Sequence, residues 1–309
     1  MKNIIGLLTF LLTGSFCFGQ SANDYMKIGL EKCKNREYSS ALVMLDKAVE
    51  LDPNIAEIYN YRGIAKQGLK DFQGAILDYS KAIEINADYA KAYFNRGNTK
   101  SELGDNVGAI ADYTKYIEIT PGLDIGYYYR GLSKISLADF EGAILDFSLS
   151  ISINPECAQC YFDRGYAKYQ DGNLEGSIMD FSKTIELDST SSDSYAFRGI
   201  SKSKISDYEG ATSDLSKAIE INPQNDRAYF FRGLTQNLQE DFQDAVEDFN
   251  RAIIINPLNA EAFFNRGIAK YRLGFVEEGC SDWVKASDLG STEASGNIEQ
   301  FCEGLQRIP

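Results

Sequence analysis

Residues 56–89 read AEIYNYRGIAKQGLKDFQGAILDYSKAIEINADY, and the same plan returns on both sides of them. Its fixed mark is Arg62-Gly63, because an Arg-Gly pair recurs at Arg96, Arg130, Arg164, Arg198, Arg232 and Arg266, each 34 residues beyond the last. A strict period of this length signals stacked supersecondary units that bury their apolar sides only against neighbours. With Ala56 as position 1, Tyr59 falls at position 4, Gly63 at 8, Phe72 at 17, Ala75 at 20 and Ala82 at 27. At about 100° per residue, positions 4, 8 and 11 share one helical face, and 20, 24 and 27 share another. Gly104-Asp105 and Asp171-Gly172 mark a turn at positions 14–16, and Pro53, Pro121, Pro155, Pro223 and Pro257 recur at position 32, where the second helix is expected to stop. Each unit should therefore give two helices and no strand.

An aromatic at position 4, glycine at 8, alanine at 20, an aromatic at 24, alanine at 27 and proline at 32 resemble the tetratricopeptide repeat. Eight units fit, at 22–55, 56–89, 90–123, 124–157, 158–191, 192–225, 226–259 and 260–293. The resemblance implies an all-α fold: an α-solenoid superhelix of about eight helix-turn-helix repeats, with residues 294–309 as a capping helix over the last one. Antiparallel pairing within the second unit sets Gly63 facing Ala75. The fit loosens in the middle, where Tyr116, Ser150 and Thr184 replace the alanine of position 27 and Ser177 that of position 20. Ala87, Ser189 and Ser291 replace the proline of position 32. Arginine at position 7 accompanies aspartate at 23 in seven units, as in Arg62 with Asp78 and Arg232 with Asp248, whereas the first unit has Ile28 and Met44. Two groups that come and go together read as an internal ion pair on the packed side; the other reading is an arginine row for an anionic ligand.

Composition narrows the function. The chain has no histidine, which removes Ser-His-Asp, Cys-His and histidine-metal chemistry, and its acids fall at repeating positions, so no catalytic residue, metal site or cofactor is expected. A net charge of −14, with no basic run, argues against nucleic acid and anionic membranes. Residues 1–19, with Lys2, an apolar run from Ile4 to Leu12 and small residues before Gln20, read as a secretory signal peptide; their loss takes the charge to −15. No later stretch is long and apolar enough to span a bilayer. The expected location is outside the cytoplasm of a bacterial cell: periplasm, cell surface or medium.

Five cysteines would remain. Cys280 and Cys302 are centred on the Gly290-Ser291 turn, so antiparallel helices would bring them level for a disulfide; two packed thiols are the alternative. Cys157 and Cys160 form a C-x-x-C at the start of a first helix, open to a local disulfide, inert thiols or thiol-disulfide redox chemistry. Cys33 has no evident partner.

Tetratricopeptide arrays, by resemblance, hold peptides or proteins on a concave side formed by positions 2, 5, 9 and 12. The lysine that such arrays use at position 5 to clamp a C-terminal carboxylate is missing throughout, although Asn98 stands at another clamp position. Units four and five instead gather Ile125, Tyr128, Leu132 and Ile135 beside Phe162, Tyr166 and Tyr169, an apolar and aromatic patch suited to a contact, with Gln159 and Gln170 able to bond a peptide backbone. The expected function is an exported, non-enzymatic scaffold or assembly adaptor for a protein or peptide. The alternatives are a redox protein using Cys157 and Cys160, an architectural spacer, or a patch drawn into the core.

Overall fold

The computed structural model describes residues 21–302. The expected signal peptide and its cut, and the end of the expected cap, lie outside the described residues. The chain divides into two compact units, Met1–Ile119 and Thr120–Pro309. The first holds α1 (Ala22–Lys34), α2 (Tyr38–Leu51), α3 (Ala56–Gly68), α4 (Phe72–Ile85), α5 (Ala90–Glu102) and α6 (Asn106–Ile119). The second holds α7 (Asp124–Ser136), α8 (Phe140–Ile153), α9 (Ala158–Gln170), α10 (Leu174–Leu187), α11 (Ser192–Lys204) and α12 (Tyr208–Ile221), then α13 (Asp226–Leu238), α14 (Phe242–Ile255), α15 (Ala260–Arg272), α16 (Val276–Asp288) and α17 (Thr292–Phe301). Among the described residues there is no strand. Each unit is a run of helix-turn-helix repeats in which every helix packs on the next.

The second helices stop before position 32. Leu51, Ile85, Ile153, Leu187, Ile221 and Ile255 end them at position 30, and the following Asp or Asn leaves the helical conformation, its N–H still bonded to the carbonyl of position 27. The proline sits beyond this cap, where it prevents resumption of the helix.

The tight turn depends on backbone handedness. Position 15 has positive φ in every repeat: Arg36, Lys70, Ala138, Ser206 and Glu240 as well as Gly104, Gly172 and Gly274. In this conformation the amide of position 16 reaches back to the carbonyl of position 11, as Asp71 does to Lys66 at 2.9 Å, closing the first helix. The next side chain then opens the second helix: Asp71, Asp139, Asn173 and Asp207 accept from the amides of Gly74, Gly142, Gly176 and Gly210.

Between the two helices of a repeat, the glycine of position 8 accommodates the large side chain of position 24. The nearest side chain to Gly63 is Tyr79, since a Cβ at Gly63 would stand 2.6 Å from that ring. Tyr79, Tyr113, Phe147, Phe181, Leu215, Phe249 and Trp283 are all buried at this position. The polar replacements of the middle repeats are buried and bonded internally. Thr184 donates to Asp180 O, Ser177 lies 2.9 Å from Ser201 Oγ, and Ser150 lies 3.4 Å from Cys160 Sγ.

The ion-pair reading of positions 7 and 23 matches the geometry. Arg198 Nε and Nη2 donate to the two oxygens of Asp214 at 2.8 and 2.6 Å, and the six other pairs repeat this fork. Two contacts were not anticipated. Lysine at position 11 adds a second cation to the same carboxylate in six repeats: Lys66, Lys100, Lys134, Lys168, Lys202 and Lys270, at 2.7 to 2.8 Å. The free arm of the guanidinium also reaches the preceding repeat, where Nη1 donates to Asp46 from Arg62, Ser80 from Arg96, Ser148 from Arg164, Ser182 from Arg198, Ser216 from Arg232 and Asn250 from Arg266. Each guanidinium also lies over its own position-4 ring, as Arg198 does over Tyr195 at 5.5 Å. With its donors and acceptors so matched, the pair tolerates burial; removing one partner would strand the other charge.

Helix α17 covers the last hairpin. It begins at Thr292, two residues before the expected start, because Ser291 Oγ accepts from Ala294 N and caps it there. Cys280, Trp283, Ala286, Ala294 and Cys302 form the buried cluster beneath it.

Candidate functional site

The expected contact residues lie on the first helices of the larger unit, and local packing divides them into two groups. Tyr128, Leu132 and Ile135 of α7 are half-buried against Ala143, Phe147 and Ala167. Phe162, Tyr166 and Tyr169 of α9 are half-buried around Phe197 of α11, with ring centroids at 5.7, 5.6 and 6.2 Å. Ile125, Gln159 and Gln170 are exposed. The expected contact residues thus fall into two packed groups at the seams between repeats, each half-buried. The two glutamines are already engaged: Gln159 Nε2 donates to Asp163 Oδ2 at 3.1 Å and Gln170 Nε2 to Tyr166 Oη at 2.8 Å.

Phe197 and Asp163, both at position 6, were missed because only positions 2, 5, 9 and 12 were assigned to the face. Position 6 is the flank a first helix turns toward its neighbour, and its signal was the run Asp163, Phe197, Phe231 at 34-residue spacing. Asp163 bridges the two groups, since Tyr128 Oη donates to its Oδ2 at 2.9 Å. Burial holds the Asp163 carboxyl above the ordinary carboxylate range, and burial together with the nearby Asp163 charge pushes the Tyr128 phenol up. Two cations of the chain lie against the aromatic cluster: Lys204 is 4.6 Å from the Tyr169 ring centre and Arg227 4.8 Å from that of Phe197. Further along the same face, Ile200, Phe231, Leu234, Asn237 and Ile268 line an apolar hollow of about 400 Å³ that the sequence reading did not single out.

The C-x-x-C pair lies at the head of α9. Cys157 caps the helix, its Sγ accepting from Cys160 N at 3.2 Å, while Cys160 is buried. The two sulfurs are in bonding contact, with Cα atoms 5.3 Å apart, and the same holds for Cys280 and Cys302 at 5.9 Å. Cys33 is a buried thiol whose pKa burial raises. Among the described residues no group of acids and cysteines is arranged to hold a metal ion, and no helix is long and apolar enough to cross a membrane.

Comparison with known proteins places this geometry in context. A family model described as TPR repeat matches residues 68–104 and 237–274, and one described as tetratricopeptide repeat matches 90–122. None of the curated proteins matches the chain. Among solved structures, the C-terminal part of a TPR repeat-containing protein from Cytophaga hutchinsonii is similar at 18% identity and a TM-score of 0.66, over 78% of this chain and 98% of that one. A tetratricopeptide repeat protein from Parabacteroides merdae is similar at 20% identity and a TM-score of 0.58, over 84% and 99%. YrrB, described as a TPR protein with an unusual peptide-binding site, is similar at 22% identity and a TM-score of 0.55, over 60% and 95%. At these identities the likeness is one of fold.

Proposed function

We propose that this chain, a tetratricopeptide-repeat protein, is an exported, non-enzymatic scaffold that holds a protein or peptide partner on the first-helix face of its larger unit. The observation that carries the reading is the pair of half-buried aromatic clusters on that face, Tyr128 on one side and Phe162, Tyr166 and Tyr169 on the other. Rings fixed by their neighbours offer a partner apolar area with little side-chain entropy left to lose. A peptide-binding site on a protein of similar fold, YrrB, accords with it. The test is to replace Tyr128 and Tyr169 with Ala, alone and together, and to compare capture from the native cell envelope with thermal stability. Loss of capture at modest loss of stability supports the site; unchanged capture with a sharply lower Tm shows the rings to be core and rejects it.

Export rests on the apolar N-terminal segment and on the two cysteine pairs, which suit an oxidising compartment as structural staples. Cys157 as a helix cap and Cys160 packed against Ser150 favour a local brace over redox catalysis. Mass mapping of the unreduced protein should find both pairs linked; recovery of all four as alkylated thiols rejects the staples, and N-terminal sequencing of the envelope protein checks the cut before Gln20.

A further inference from the structure

We infer that the smaller unit carries a recognition site of its own, separate from the face of the larger one: a cavity that takes the carboxamide side chain of a glutamine from a partner segment. It starts from a residue unlike its counterparts. Position 5 of the first helices is apolar or aromatic elsewhere, from Met26 and Phe94 to Ala196 and Phe264, but in α3 it is Asn60. Asn60 is 1% exposed, and a carboxamide buried to that degree costs stability unless both its ends are bonded. One end is bonded: Asn95 Nδ2 of α5 donates to Asn60 Oδ1 at 2.9 Å. Among the described residues Asn60 Nδ2 has no acceptor and Asn95 Oδ1 no donor. Nor is either atom sealed from solvent, since the sealed side-chain atoms without a partner belong to Ser133, Thr212, Gln236 and Asn237. In the larger unit the same step, from position 5 of one repeat to position 6 of the next, is closed, because Tyr128 gives its one proton to Asp163. In the smaller unit it leaves a donor and an acceptor unused.

The pair opens on a cavity of about 430 Å³ among α1, α3 and α5, whose wall contains Asn60 and Asn95 together with Leu30, Ile64, Phe94 and Lys91. Tyr116 of α6 also lines it, buried at a position where most repeats carry alanine, and fixes Phe94 with ring centroids 5.1 Å apart. Apart from the two amides the lining is mainly apolar and aromatic, and Lys91 is exposed. A main chain running across the mouth does not reach a group set as deep as Asn60, whereas an inserted side chain does. A carboxamide satisfies both halves of the pair, its carbonyl accepting from Asn60 Nδ2 and its amide donating to Asn95 Oδ1, while the methylenes of glutamine lie against Leu30, Ile64 and Phe94. A glutamate would carry a charge out of water and set an anionic oxygen against Asn95 Oδ1. A leucine would strip water from Asn60 Nδ2 and return no hydrogen bond.

The experiment uses the full protein, isotope-labelled on asparagine nitrogen, and titrates it with three peptides of sequence Ser-Ala-Ala-X-Ala-Ala-Ser in which X is Gln, Glu or Leu. The side-chain amide signals of Asn60 and Asn95, assigned by their loss in Asn60→Leu and Asn95→Ala, report binding at this cavity and nowhere else. The Gln peptide should shift both signals saturably, with a Kd about tenfold below those of the Glu and Leu peptides, as one hydrogen-bonded carboxamide warrants. Raising the salt should leave that Kd unchanged. Asn95→Ala, at a half-buried position, should bring the Gln peptide down to the level of the Leu peptide and leave the Tm nearly unchanged. Asn60→Leu, read on Asn95, should do the same without lowering the Tm, because the donor it removes has no partner in the folded chain. Equal shifts by all three peptides mean a main-chain contact and overturn the inference. Preference for the Glu peptide, or binding that fades with salt, assigns the site to Lys91 and an anion and overturns it as well, and so does a Gln preference that survives Asn95→Ala. If neither signal moves with any peptide, the inference falls, while the reading of Tyr128 and Tyr169 is judged separately by the capture experiment.

Discussion

Repeat five contains two partly or fully buried aspartates in opposite circumstances. Asp180 lies in the seam of its hairpin, held by Arg164 on two oxygens and by Lys168. Asp163, on the outer side of the first helix, has a phenol and an amide but, among the described residues, no cation. The seam is solved once and copied every 34 residues, so each of its carboxylates has a cation and its sequence is nearly invariant from repeat to repeat. The first-helix face is not copied: each repeat puts different side chains there. Regularity in this protein marks what stabilises it, and irregularity marks where recognition is to be sought.

Breaking the seam should have the largest effect. Arg198→Met leaves Asp214 buried with Lys202 alone and removes the link to Ser182, and should cost about 3–5 kcal/mol. Because repeat arrays lose structure locally, hydrogen exchange in α11 and α12 is the appropriate measurement; protection unchanged there would show that the seam is dispensable. Next comes the cap, whose single neighbour makes it depend on the Cys280–Cys302 link. Cys302→Ser should loosen α17 by about 3 kcal/mol, as expected for a closed loop of about 20 residues, seen as faster exchange across Thr292–Phe301.

Repairing the seam is a sharper test, because it predicts a gain. Repeat seven has Gln236 where the others have lysine, and its buried Oε1 has no partner, while Asp248 has only Arg232. Gln236→Lys should stabilise this repeat by about 1 kcal/mol; no gain would mean the second cation contributes nothing. The turns allow a paired test of similar or smaller size. Ala138 has φ of 58° and Gly172 has φ of 85° at the same position of successive repeats. Ala138→Gly should raise stability and Gly172→Ala lower it, each by up to about 1 kcal/mol.

The smallest effect belongs to the face. Burial raises the Asp163 pKa above 3.8, so the folded state holds its proton to higher pH than the unfolded chain does. The sign follows: as pH rises from about the unfolded value through the raised one, this carboxylate costs the native state stability, and Asp163→Asn removes that cost. The Tm advantage of the variant over the wild type should therefore grow from acid pH toward neutrality and then level off. A constant difference would mean that Asp163 is not desolvated.

Most of the fold was legible because helical periodicity and the 34-residue period report on the same seam. Arg62 and Asp78 could be paired from spacing alone, since both sit at fixed places in a hairpin of known turn length. Lys66 recurs with the same period, yet was overlooked because lysine at a packed position reads as a departure from the apolar face rather than as a partner. Left-handed Arg36 and Glu240 were hidden for a different reason, as nothing in either residue type signals positive φ; only their alignment with Gly104 and Gly172 does. The face was the least legible part. Whether Tyr166 is open or covered depends on a residue 31 positions later, Phe197, and no pattern within one helix carries that information.

The arginine arm that reaches the preceding repeat gives the array a polarity. The six arms described above each point from a hairpin to its predecessor. A repeat with arginine at position 7 therefore needs a hydroxyl, amide or carboxylate waiting at position 25 of whatever comes before it, whereas one with Ile28 in that place makes no such demand and offers Asp46 to its successor. Lengthening by copying a whole interior repeat would leave every arm matched, as would shortening by removing one. The grammar of the array thus lets its length change in evolution while constraining which kind of repeat can stand at the head of a stack.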